Sequence, residues 1–90
     1  MSENEYTQFN SMRSTIKTLV KAQLLAKDTD GKCDTWLNDN KYLLNQMVDD
    51  AARAIVDKRG KPTRKQHVML STARNIVKLI TTGYSNRFIC

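Results

Sequence analysis

Residues 57–67 read DKRGKPTRKQH, with five cations (Lys58, Arg59, Lys61, Arg64 and Lys65), one histidine and no acid after Asp57. Arginine forks onto phosphate through paired N–H groups and lysine offers a point charge, so this composition suits the capture of an anion. The bias extends beyond the stretch. Residues 1–57 hold seven Lys/Arg and all nine acids, whereas residues 58–90 hold eight Lys/Arg and no acid, within a net charge of +6. Asymmetry of this kind points to an anionic partner. The plainer alternative is a solvated basic face balanced by acids elsewhere in the fold.

Two lines of side chains continue the theme. Arg64, His67, Ser71, Arg74 and Lys78, with Asn75 beside them, recur at three- and four-residue spacing, which places them on one face of a helix. Lys61, Arg64 and Lys65 surround the start of that helix, where unpaired amides favour an anion and positive side chains oppose the dipole. The second line is Arg13, Lys17 and Lys21, at i, i+4 and i+8, with Ser14 and Thr18 alongside. Stacked like charges cost a few tenths of a kcal/mol per pair unless something neutralises them. The plainer alternative is that Asp49, Asp50 and Asp57 lie across the groove and neutralise them.

Other chemistries fail on their spacing. DTDGKCDTWLND, residues 28–39, imitates a calcium loop, but Lys32 occupies the fifth position, Cys33 the sixth and Asp39 the twelfth. A calcium loop needs an oxygen donor, a glycine and a glutamate there, and a lysine in the cage repels the ion. Cys33, His67 and Cys90 are too few and too scattered for a structural zinc site. No thiol or hydroxyl is spaced against a base for nucleophilic work, and adjacent Asp49 and Asp50 diverge by about 100° on a helix. A non-enzymatic protein without metal or cofactor is expected. RGKPT has the length and the glycine of a helix-turn-helix turn. Lys61 and Gln66 nevertheless stand where that motif wants apolar residues, so contact with a nucleic-acid backbone is expected before base readout.

PTRKQHVMLSTARNIV, residues 62–77, resembles the helical-hairpin proteins with which some phages sequester cyclic nucleotides. The likeness rests on Pro62, on Arg64 at a helix start and on the hydroxyl pair Ser71 and Thr72. It covers under a fifth of the chain, and the aromatic motif of that family is missing. What it implies is a small anionic ligand.

These side chains must be positioned by helices. Phe9, Met12, Ile16, Leu19, Val20 and Leu24 recur at helical spacing without Gly or Pro, predicting a helix over about 3–27, with Ser2 as N-cap and Glu3 and Glu5 at the positive end of the dipole. DTDGKCDT, residues 28–35, is a connection. A second helix is expected over about 35–58 on the stripe Leu37, Leu44, Met47, Val48, Ala51 and Ile55, widened at its start by Trp36, Tyr42 and Leu43. NDN at 38–40 is weak helix, where the segment could pause and restart. Gly60 and Pro62 supply a stop, making 57–67 the tight corner of a hairpin. Thr63 and Gln66 fit a capping box opening a third helix over about 64–82, whose buried face is Val68, Met69, Leu70, Ala73, Ile76, Val77 and Ile80. Residues 84–90 form a short tail.

The expectation is therefore all-α: one domain, a small antiparallel three-helix bundle over 1–90, able to complete its core as a homodimer. Hydrophobic content of 40% and charged content of 27% are ordinary for a globular chain. Two cysteines give no disulfide framework, no apolar run reaches the length of a membrane span and no signal peptide opens the chain, so a soluble cytoplasmic protein is expected. The leading functional expectation is a basic helical regulator or accessory factor, of a kind found in viruses, that binds DNA or RNA backbone. The alternatives are an interaction module or inhibitor docking an acidic partner, with Trp36, Tyr6, Tyr84 and Phe88 as candidate anchors, and a binder of small cyclic nucleotides.

Overall fold

The computed structural model describes residues 3–27, 31–56, 61–63 and 65–83. They form four helices, α1 (Glu3–Ala26), α2 (Lys32–Asp39), α3 (Lys41–Ala54) and α4 (Gln66–Gly83), with no strand among the described residues. Helix α1 is the spine. It packs against all three others, most extensively against α4 and then α3, while α3 and α4 meet only slightly. At 1.5 Å per residue α1 alone spans about 36 Å, which accounts for most of the 42 Å long axis of the molecule.

The stripe expected on α1 is the core. Ile16, Val20 and Leu24 are wholly enclosed, and Phe9 and Met12 nearly so. From α2 and α3 come Cys33, Trp36, Leu37, Leu44, Val48 and Ala52; from α4 come Ala73, Ile76, Val77 and Ile80. Full burial of one such aliphatic side chain contributes about 1.5–3 kcal/mol, so this single cluster holds the fold. Val68, Met69 and Leu70 are only half-buried, because they lie in the first turn of α4, at the edge of the packed region.

Three expectations need correction. The helix expected over 35–58 is two, so the count is four. Helix α2 begins at Lys32, three residues early, because Gly31 adopts φ 81°, a left-handed conformation suited to glycine, and its carbonyl accepts both the Thr35 amide and the Thr35 hydroxyl, each at 3.1 Å. The calcium-like positions from Lys32 onward are thus helix, not a loop that could wrap an ion. Asn40 then interrupts the run. Its side-chain amide donates to the Trp36 carbonyl at 3.0 Å, yet its own N–H also reaches Trp36 and its carbonyl accepts from Leu44, both at 2.9 Å. The result is an α2–α3 rod broken at one residue, Asn40, whose φ −122° and ψ 34° lie outside the helical region.

The second correction concerns the tight hairpin corner. Helix α3 closes at Ala54, where the Ile55 amide bonds Ala52 in an i→i−3 turn at 3.3 Å. With α4 starting at Gln66, the connection covers eleven residues, 55–65, too long for a helix-turn-helix turn. Ile55 and Val56 are β-branched and extend a helix poorly, and buried Pro62 anchors the return path. The expected stop at Gly60 lies outside the described residues. The capping box does not form either: the Thr63 hydroxyl accepts from the Lys65 amide at 3.3 Å, one residue before Gln66.

Third, Tyr42 does not widen the apolar stripe. It is 90% exposed, as α3 turns it away from α1.

Candidate anion-binding groove

Helix α1 and the α2–α3 rod run antiparallel, with Leu25 level with Asp34 and Leu37 at one end and Arg13 level with Asp49 at the other. Residues four apart on α1 therefore face residues four apart on the rod. Between them lies a groove of two cavities. One, of about 260 Å³, is lined by Arg13, Ser14 and Lys17 with Asn45 and Val48. The other, of about 470 Å³, carries Lys17, Lys21 and Lys41 on its walls, Asp34, Asn38 and Asn45 as polar groups, and Leu25, Leu37 and Leu44 as apolar surface. Lys17 and Asn45 belong to both, so the two cavities are adjacent.

The electrostatics of the Arg13 end and of the middle differ. At the α1 N-terminal end, Asp49 is shared: one carboxylate oxygen accepts from Arg13 at 3.3 Å and the other lies 3.1 Å from Nε of Arg53. The acid expected across from Arg13 is in place, although the carboxylate is divided between two guanidinium groups. In the middle, among the described residues, Lys17, Lys21 and Lys41 form no ion pair. Lys17 is held below the ordinary lysine pKa, first by burial and then by the positive charges of Lys21, Arg13 and Lys41. The fold thus gathers three lysines in one cavity that also carries the Asp34 carboxylate, and an anion there would reverse the repulsions among the lysines while being repelled by Asp34.

The helix stripe expected to lead is laid out differently. His67, Ser71, Arg74, Asn75 and Lys78 share one outward face of α4 and are all exposed, as are Lys61 and Lys65 in the connection. None of them lines the groove. Lys58, Arg59 and Arg64 lie outside the described residues. The anion site expected at the start of α4 is partly closed, since the Lys65 amide bonds Thr63 and the Val68 amide bonds the Lys65 carbonyl at 3.1 Å. Of the hydroxyl pair, Thr72 donates to the Val68 carbonyl at 2.8 Å, which leaves Ser71 alone facing outward. A third cavity of about 260 Å³, between α1 and the start of α4, is lined by Gln8, Ser11, Met12, Thr15, Thr63 and Met69 and carries no charge.

The structure therefore brings Arg13, Lys17 and Lys21 together with three residues that sequence reasoning did not select, Lys41, Asn38 and Asn45. A signal for them existed: 38, 41 and 45 follow the same three- and four-residue spacing as the cationic line on α1. Compared with known families, curated proteins and solved structures, the chain matches none. The class defined by fold and site is thus a small all-helical protein with a cationic interhelical groove, and no helix among the described residues is long and apolar enough to cross a membrane.

Proposed function

We propose that this protein is a non-enzymatic regulator or accessory factor that binds the phosphate backbone of DNA or RNA, acting in the cytoplasm. The carrying observation is the convergence of Lys17, Lys21 and Lys41 on one groove, unpaired among the described residues. Arg74 and Lys78 on α4, with Lys61 and Lys65 before it, supply an auxiliary surface. A phosphate chain lying in the groove would neutralise the three lysines, and Asn38, Asn45 and Ser14 would donate hydrogen bonds beside them.

The test is the salt dependence of binding. If Lys17, Lys21, Lys41, Arg74 and Lys78 each neutralise one phosphate, log K falls against log salt with a slope of about −3.5 on a single strand and about −4.5 on a duplex. A flat dependence, or no binding at low salt, removes the proposal. The larger cavity also favours a second reading, a small nucleotide, because about 470 Å³ falls inside the range of small-ligand sites. That reading predicts saturation by a mononucleotide that displaces a bound oligonucleotide.

A further inference from the structure

Resting on the backbone-binding reading, we infer that the groove selects single-stranded over duplex nucleic acid, with an unstacked base seated on Tyr42. The first observation is the shape of the charge. Lys17, Lys21 and Lys41 line the walls of a concavity between two helices. Duplex recognition works the other way round, with a convex helix or ribbon entering the major groove. A duplex is too broad to enter a cleft between neighbouring helices, whereas a single strand can follow it.

The second observation is apolar surface in that groove, supplied by Leu25, which lines the same cavity as the lysines with 47% of its surface exposed, while Leu37 and Leu44 are buried. A duplex offers phosphates and sugars on its outside and keeps its base faces stacked within, so it would leave this surface uncovered. A single strand carries phosphate and open base faces together. Single-strand grooves combine cations that track the backbone with aromatic rings that stack the bases.

Tyr42 is the third observation. At 90% exposure it is the most exposed of the large apolar side chains described, and no packing role explains it. It follows Lys41 directly and stands one helical turn before Asn45 on α3, and both of these residues line the groove. Tyr42 is therefore next to two groove-lining residues on the surface of α3, although it does not itself line the cavity. A nucleotide whose phosphate meets Lys41 has its base within reach of this ring, and the Asn38 and Asn45 amides can donate to or accept from the base edge.

The experiment uses the full chain, a labelled 12-nucleotide single strand of mixed sequence and the duplex of the same sequence, with affinities measured across a salt series. The wild type should hold the single strand about tenfold more tightly than the duplex at equal salt. Tyr42→Ala should lower single-strand affinity about tenfold, leave the salt slope and duplex affinity unchanged, and leave the thermal midpoint within a degree or two, while Tyr42→Phe keeps wild-type affinity. Equal affinity for the two forms, or a Tyr42→Ala protein that binds the single strand normally, overturns the inference while the backbone-binding reading stands. Absence of salt-dependent binding to either form overturns both.

Discussion

The groove between α1 and the α2–α3 rod and the outer face of α4 carry the same residue types in opposite settings. On α4, Arg74 and Lys78 are exposed and line no part of the groove, and their charges are screened. In the groove, Lys17 sits half-buried with Lys21, Arg13 and Lys41 as positive neighbours. The same residue types give unequal sites, because a cavity gathers more cations close together and concentrates their field. Charge counting along the sequence favours the C-terminal third; geometry favours the first half, where acids are also present.

The largest expected difference between the two regions is in stability. Leu44 is 1% exposed and underlies the groove, so Leu44→Ala should cost about 2–5 kcal/mol and, by letting α3 settle toward α1, weaken anion binding as well. Leu79 on α4 is 59% exposed, and Leu79→Ala should change stability by less than about 0.5 kcal/mol. Urea midpoints of the two variants measure this. Similar losses would mean that α4 buries its outer face against something, and the contrast would fail.

Charge reversal sharpens the same contrast in function. Lys17→Glu with Lys21→Glu should weaken oligonucleotide binding about 100-fold and reduce the single-strand salt slope by at least about 1.4 units, the release expected from two phosphate contacts. Arg74→Glu with Lys78→Glu should cost about tenfold, because an auxiliary surface outside the groove loses only screened attraction. Anisotropy titrations of the two double variants decide it. If the α4 pair costs more, the site belongs on α4 and the groove lysines are ordinary surface charge.

What the sequence revealed and what it withheld follow from the range of the interactions involved. Helix content was legible because apolar spacing is local: Ile16, Val20 and Leu24 on α1, and Ala73, Ile76, Val77 and Ile80 on α4, are buried as their periodicity predicts. The break at Asn40 was also visible, as Asn competes for backbone carbonyls. Helix ends were read less well. Ile55 ends α3 before the glycine that was the expected stop, and Thr63 caps one residue off the expected register. The site was the least legible part. The cationic line on α1 could be listed from spacing, but that Lys41 would face it depends on the antiparallel alignment of α1 with the α2–α3 rod, a long-range property. Tyr42 looked apolar by type and proved exposed for the same reason.

The smallest and most discriminating effect concerns Lys17 alone. Its folded pKa lies below its unfolded value, so folding opposes the charged form. Below the folded pKa, both states carry the proton and the full penalty is present. Between the two pKa values the unfolded chain binds more protons than the native one, so the Lys17 contribution to stability rises with pH and levels off above the unfolded value. Lys17→Met removes the penalty at neutral pH, and a gain of about 0.5 kcal/mol would raise the melting temperature by about 2–4 °C while weakening anion binding. A binding site that opposes stability in this way behaves unlike Lys78→Met on α4, where no comparable change is expected. If Lys17→Met melts at or below the wild type, burial of its aliphatic stem outweighs the repulsion. The cluster would then be a packing feature, and the difference between groove and outer face would rest on shape alone.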